Sequence, residues 1–358
     1  MLKYIIGFCI FCIVLFMYLH VQFHLKTSSH LEVYELENGS KDKLEEVCHL
    51  RQPVIMNFFS DSLSLAKHCK KQYILDNYYA FEIKIRNTKE EDYHNEIYVP
   101  LRVLSAFKLF DEDKTGSYIT ESNKEFIQEA GLIKLFQSED DFIRPNLTSH
   151  CEYDFCTGSE KSVTPFRYEV NYRNYFYVTS GEVEIKLVPP KYSKYLHSVE
   201  DYDNFEFRSP INPWSVQESF QSDFDKIKFM DVLLPAGKMI HIPAYWWYSI
   251  RYKQDATLVS FKYQTYMNTI AISPHIGMRF LQMQNVQHRI VKKYGPDTEF
   301  GEKIEEKVGE KVGEKVGETG VTNIGELSSI PLENELPPLQ PATHPLEEIS
   351  IPLIVKED

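Results

Sequence analysis

The chain opens on an unbroken apolar run, "YIIGFCIFCIVLFMYL" from Tyr4 to Leu19, which extends to Leu25 if His20, Gln22 and His24 sit at an interface. A bilayer-spanning helix needs roughly 20 such residues. No small-residue cleavage site of the A-x-A kind follows, so residues 1–26 read as an uncleaved signal anchor rather than a removable leader. Lys3 and the amino terminus flank one end, while Lys26 and then acidic residues flank the other. That bias favours a single-pass, N-terminus-in topology with the body on the lumenal or exoplasmic side.

After a polar linker (27–49) the periodicity changes to that of strands. "RQPVIMNFF" (Arg51 to Phe59) reads as an entering strand, residues 61–80 as mixed helix, and "YYAFEIKI" and "NEIYVPL" as further strands. One or two helical turns are expected between Asn123 and Phe136, and strands dominate from Cys151 to Tyr266. Within that run "TPFRYEVNYRNYFYVTSGEVEIKLVPP" (164–190) reads as two aromatic-rich strands around Ser180 and Gly181. Apolar Ile276, Phe280, Met283 and Ile290 recur at helical spacing in 273–296, predicting an amphipathic helix that packs on its own domain or joins a homodimer. From Glu302 to Glu318 a four-residue unit repeats, with one valine and one glycine in most copies. Such a sequence buries almost nothing, so the acidic tail (297–358) is expected to be disordered.

Composition adds less than the pattern does. The net charge of −13 suggests an acidic protein, but Asp297 to Asp358 alone hold 15 acidic and 5 basic residues. The body is therefore close to neutral, and with no basic stripe it offers nothing for nucleic acid. Aromatics at 14% suit a β-rich core. Outside the apolar run stand Cys48, Cys69, Cys151 and Cys156; a Cys48–Cys69 disulfide is possible in an oxidising compartment. Cys151 and Cys156 are too far apart along an extended strand to bridge, at about 16 Å. "NGS" at Asn38 and "NLT" at Asn146 are glycosylation sequons.

Two patterns imitate metal sites. "DEDKTGSYITES" places Asp111, Asp113, Thr115 and Gly116 where a calcium loop has them, but ends on Ser122 in place of the closing glutamate. It is expected to be a solvated acidic turn. His94 with Glu96 and His150 with Glu152 have His-x-Glu spacing but no second partner, and His241 is expected to be a core histidine.

Three segments carry a resemblance. "TPFRYEV", "SGEVEIKLVPP" and "LLPAGKMIHIPAYWWYSIRY" stand in the order and spacing of the cupin-like JmjC family, in its asparaginyl-hydroxylase-like branch, where the text runs T-P-x-H-Y-D, G-x-K-x-x-x-L-F-P-P and G-D-x-x-x-I-P-x-x-W-W-H. The chain resembles that family from roughly Leu50 to Met267. The resemblance implies a mainly β fold over 50–272: a double-stranded β-helix, or jelly-roll barrel, with flanking helices. In active members two histidines and a carboxylate hold Fe(II), leaving positions open for 2-oxoglutarate and oxygen.

Carried over position by position, the implied ligands are Arg167, Glu169 and Tyr248. A guanidinium has no lone pair to donate and stays protonated, so Arg167 cannot ligate iron. The lysine expected to grip 2-oxoglutarate falls on Val183, and an asparagine of the last core strand falls on Ser260, while Thr164 and Asn174 are retained. Arg167 and Glu169 are two apart on one strand face, which predicts an ion pair between them capped by the Tyr248 hydroxyl. The leading expectation is a membrane-anchored module that uses no cofactor and binds a protein partner. Its rivals are an Fe(II)/2-oxoglutarate oxygenase with a non-standard ligand set, and a metal-free enzyme acting through Arg167.

Overall fold

A computed structural model describes residues 2–37, 39–58, 64–89, 98–202 and 204–284. These residues belong to one compact unit, Met1–Lys292. The repeat, the acidic tail, Ile290, Asn38 and the His94–Glu96 pair lie outside them.

The helices are α1 (Leu2–Leu25), α2 (Lys41–His49), α3 (Ser64–His68), α4 (Lys71–Tyr78), α5 (Val103–Glu112), α6 (Lys124–Glu129), α7 (Ile133–Glu139), α8 (Glu218–Phe224), α9 (Tyr266–Ala271) and α10 (Ser273–Met283). The strands are β1 (Tyr34–Leu36), β2 (Val54–Asn57), β3 (Glu82–Asn87), β4 (Val99–Arg102), β5 (Tyr118–Thr120), β6 (Thr148–Gly158), β7 (Arg167–Tyr168), β8 (Arg173–Ser180), β9 (Glu182–Val188), β10 (Val199–Asp201), β11 (Glu206–Arg208), β12 (Met230–Pro235), β13 (Lys238–His241), β14 (Trp247–Tyr252) and β15 (Thr257–Thr265). They form a nine-stranded sheet in the order β1-β2-β13-β8-β15-β6-β5-β3-β4 and a six-stranded sheet in the order β10-β11-β7-β14-β9-β12.

Period-two alternation sorts the side chains. On β8, Tyr175 and Tyr177 join one core cluster with helix residues Leu44, Phe107, Phe126 and Phe136, whereas Phe176 and Val178 join a second. That second cluster draws Val183, Ile185 and Leu187 from β9 and Tyr248, Ile250 and Tyr252 from β14, so it is shared between the two sheets. Strand β15 obeys the same rule: Val259, Phe261 and Tyr263 pack with the helices, and Leu258 with the other sheet. Ser260 and Lys262 share the parity of Leu258 and therefore its face.

Strands β8 and β9 are consecutive but sit in different sheets, and Gly181 alone makes the crossing. Its φ is +65°, and a Cβ there would stand 2.8 Å from the Ala256 Cα. Only glycine fits both the left-handed conformation and that approach.

Helix α1 is long and apolar enough to cross a membrane, as an anchor or as a signal sequence would be. Its last turn is not adrift: His24 is buried and α1 packs on α9. Helix α10 begins where an amphipathic helix is expected, yet buries none of its residues; Ile276, Phe280 and Met283 all stand exposed. Among the described residues that apolar face is not buried, and the helix touches its own domain instead through His275 against Phe207 and Arg279 over Phe205.

One sequence reading is corrected. Cys48 and Cys69 are both buried free thiols rather than a disulfide, each filling an apolar place in the helix-side core. The Cys48 Sγ lies 3.9 Å from the Tyr175 hydroxyl. Cys151 and Cys156 are free as expected. The acidic loop after α5 is a self-contained turn: Asp113 accepts from the Thr115 and Ser117 backbone amides at 2.8 and 2.6 Å. Its carboxylate is consumed by its own loop.

Candidate functional site

Where the polar ends of the inward faces meet, the two sheets are joined by charge rather than hydrocarbon. Arg167 on β7 extends a fork to Glu121, just past β5, with Nη1 3.1 Å from Oε1 and Nη2 2.5 Å from Oε2. The same Nη1 donates to Glu206 on β11 at 2.7 Å. Arg86, on β3, donates to Glu121 Oε1 at 2.7 Å and to Glu206 Oε1 at 3.1 Å. Tyr98 adds a hydroxyl to Glu121, and Arg208 reaches Glu206 at 3.4 Å. Two carboxylates are thereby shared among three guanidinium groups.

The local sequence explains the convergence. Arg208 pairs with Arg167 across β11 and β7, which sets Glu206 on the same side as Arg167. Glu121 is turned inward by Ser122, whose φ is +61°. Asp154 on β6 holds that turn, accepting from the Ser122 and Asn123 amides, each at 2.7 Å.

Burial makes the ion states decisive. Arg86 and Glu121 are 1% and 2% exposed, and isolated charges there would be untenable. Burial pushes Glu121 toward its neutral form, but Arg167 and Arg86 outweigh it and hold the carboxyl far below its usual range. Glu206 moves the same way, as Arg86 and then Arg167 overcome burial. Asp154 shows the opposite balance: burial dominates over its two backbone amides and raises it to about 6.

The predicted Arg167–Glu169 ion pair does not form. Glu169 instead accepts from Lys262 Nζ at 2.9 Å, because Lys262 on β15 faces it from the other sheet. Arg167 is already claimed by Glu121 and Glu206. The Tyr248 hydroxyl connects the two halves, accepting from Arg167 Nε at 3.3 Å and donating to Glu169 Oε1 at 3.0 Å. Tyr248 also stands directly across from Arg167 in the β14–β7 pair. The three residues singled out in the sequence thus do meet, with the tyrosine as the link.

The other predicted positions are structural neighbours. Thr164 clamps β14, its Oγ1 accepting from the Ile250 amide at 2.9 Å. Asn174 is fully buried and donates to the Ile242 carbonyl at 3.2 Å. Val183 lies in the apolar cluster with Tyr248. Ser260 is buried opposite Asp154 and Phe176. His241 is buried, stacks near Tyr175, and is driven well below its usual pKa by burial and then by Arg173, which makes it a neutral core histidine.

Glu121, Glu206, Arg86 and Lys262 escape sequence reasoning. Lys262 has a readable signal, since it lies two residues beyond Ser260 on the same strand face. Glu121 sits directly behind the false calcium loop, and nothing local ties Glu206 or Arg86 to it.

A ferrous ion does not fit this arrangement. The three positions supply one carboxylate and no imidazole, and that carboxylate is held by an ammonium and a phenol. Among the described residues no group of three or more His, Cys, Asp or Glu could hold a metal ion. Lys262 is likewise already engaged, by Glu169 and with Glu152 beside it.

A family model described as a cupin-like domain matches residues 40–269. No curated protein matches the chain.

Proposed function

The chain belongs to the family of cupin-like domains, and from that membership we propose that it is a membrane-anchored jelly-roll pseudoenzyme that binds a protein partner. The two facing sheets are consistent with the barrel such a fold requires. The observation that carries the reading is the fork from Arg167 to Glu121, placed directly across from Tyr248. If Arg167, Glu169 and Tyr248 stand where a metal-binding relative keeps two histidines and a carboxylate, a fixed guanidinium now supplies the positive charge that a dication would. The site is filled and electrically compensated from within the chain.

Membrane anchoring is supported by the length and hydropathy of α1 and by the packing of its last turn on the domain. The exposed sequon at Asn146 gives a test of sidedness. A lumenal body predicts a mobility shift on glycosidase treatment that Asn146→Gln combined with Asn38→Gln abolishes.

The mapping itself is tested by restoring the implied ligands. Arg167→His with Tyr248→His is expected to create a two-histidine, one-carboxylate set with Glu169, and so a stoichiometric Fe(II) heat in calorimetry that the parent chain lacks. A correctly folded double variant with no Fe(II) binding would mean that these positions do not correspond.

A further inference from the structure

A second buried arginine, at the carboxyl end of α1, is treated quite differently. Arg51 is 6% exposed and its backbone takes the left-handed conformation, φ +56°. That strain is fixed from both sides: the Arg51 amide donates to the Cys48 carbonyl at 3.1 Å, and Thr27 Oγ1 donates to the Arg51 carbonyl at 3.2 Å. Non-glycine residues held this way are disproportionately found at binding sites. The side chain turns back onto α1, with Cζ 4.3 Å from the Phe23 ring centre, and Nη1 directed at the His24 carbonyl at 3.5 Å.

The rest of the guanidinium is unanswered. Among the described residues Nε and Nη2 have no hydrogen-bond partner although both are buried. The charged neighbour that acts on Arg51 is another cation, Arg173, and burial with that cation lowers Arg51 to about 10, leaving it charged near neutral pH. Arg173 has a carboxylate of its own, Glu45, at 3.1 Å. Exposed Lys26 adds a further positive charge to the groove that Arg51 lines.

That groove has a volume of about 360 Å³ and two characters. Leu19, Phe23 and Leu50 make an apolar side, and Lys26, Thr27 and Ser28 a polar one. Counting from Tyr4, the helix end at Leu25 lies about 32 Å along the axis at 1.5 Å per residue, which puts the polar side just beyond it at headgroup depth if α1 spans a bilayer. Leu50, Leu147 and Tyr266 stand exposed around the same end of α1, as apolar and aromatic side chains do where a domain meets lipid.

We propose that this groove holds the phosphate headgroup of a membrane phospholipid, with Arg51 and Lys26 as its cations and the Leu19, Phe23 and Leu50 side against the acyl chain. A phosphate in the groove brings the negative charge that no carboxylate supplies to the Arg51 guanidinium. The inference rests on the reading of α1 as a membrane anchor.

The test uses the full chain in detergent, exchanged against phosphatidylglycerol or against dioleoylglycerol, which lacks the phosphate, and read by native mass spectrometry. One phosphatidylglycerol per chain is expected to survive dilution, and no dioleoylglycerol. Arg51→Gln and Lys26→Gln are each expected to cut retention by roughly tenfold. Lys3→Gln, at the other end of α1, leaves it unchanged. If Arg51→Gln fails to fold, the exposed Lys26→Gln carries the comparison. Equal retention of both lipids, or variants that match the parent, would overturn the site. Binding of inorganic phosphate without any retained lipid would also overturn it, in favour of a soluble anion. Alkaline carbonate extraction separates the two layers of the claim. A chain released from membranes defeats the anchor itself, and with it the site; a chain that stays while retention ignores Arg51 defeats the headgroup site alone.

Discussion

Arg167 and Arg51 are both largely withdrawn from water, and comparing them separates charge used to build from charge held ready. Around Arg167 each positive group faces carboxylate: Glu121 and Glu206 lie between it and Arg86, and Lys262 answers Glu169. Around Arg51 the neighbours are a cation and phenols, with one backbone carbonyl as its acceptor. A buried charge with its partners built in is a structural element whose removal exposes the partners. One without them, on the rim of a groove, has a free energy that a ligand can lower.

Substitution at the two sites should therefore differ in size. Arg167→Met leaves Glu121 and Glu206 sharing fewer cations in a place where Glu121 is almost fully buried, and is expected to cost about 3–5 kcal/mol in urea unfolding of the full chain. Arg51→Gln removes one hydrogen bond and two ring contacts, to Phe23 and Tyr172, without orphaning a carboxylate, and is expected to cost about 1–2 kcal/mol. An equal or reversed ranking would break the comparison. Lys262→Met is smaller still, about 1 kcal/mol, because Glu169 is partly solvated and keeps the Tyr248 hydroxyl.

Acid probes the same contrast through a second observable. Glu121 and Glu206 have folded pKa values below the ordinary 4.5, so their contribution is present above that pH and is lost as pH falls through the folded values. Asp154 works in the other direction: its pKa is raised to about 6, so its contribution is present below the ordinary 3.8 and is lost as pH rises through about 6. Stability is expected to fall as pH drops below about 4.5, with a shallower slope in Arg167→Met, where the glutamates are held ionised by fewer cations. A parent and variant with the same acid slope would show that the network contributes little.

Much of this architecture is legible from residue order. Alternation along 164–190 gives two strands around Gly181, which are β8 and β9, whereas the two-residue β7 that carries Arg167 is a separate strand paired in the other sheet from β8. What alternation cannot supply is the partner across the gap. Closeness in sequence pairs Arg167 with Glu169. The structure offers Glu121 and Glu206 from more distant segments, and their fork and second contact displace the local pair. The Cys48–Cys69 expectation fails for a related reason: both thiols answer to the apolar core around them rather than to each other. The amphipathic pattern of α10 correctly marks a helix, but a pattern does not say what covers its face.

The central claim is that arginine and carboxylate occupy the place where a metal-using relative does its chemistry. It is tested most directly by measuring metal content and succinate release from 2-oxoglutarate on the purified full chain after incubation with Fe(II) and ascorbate. The account predicts no stoichiometric iron and no succinate above a buffer control. One iron per chain with 2-oxoglutarate-dependent succinate release would contradict it.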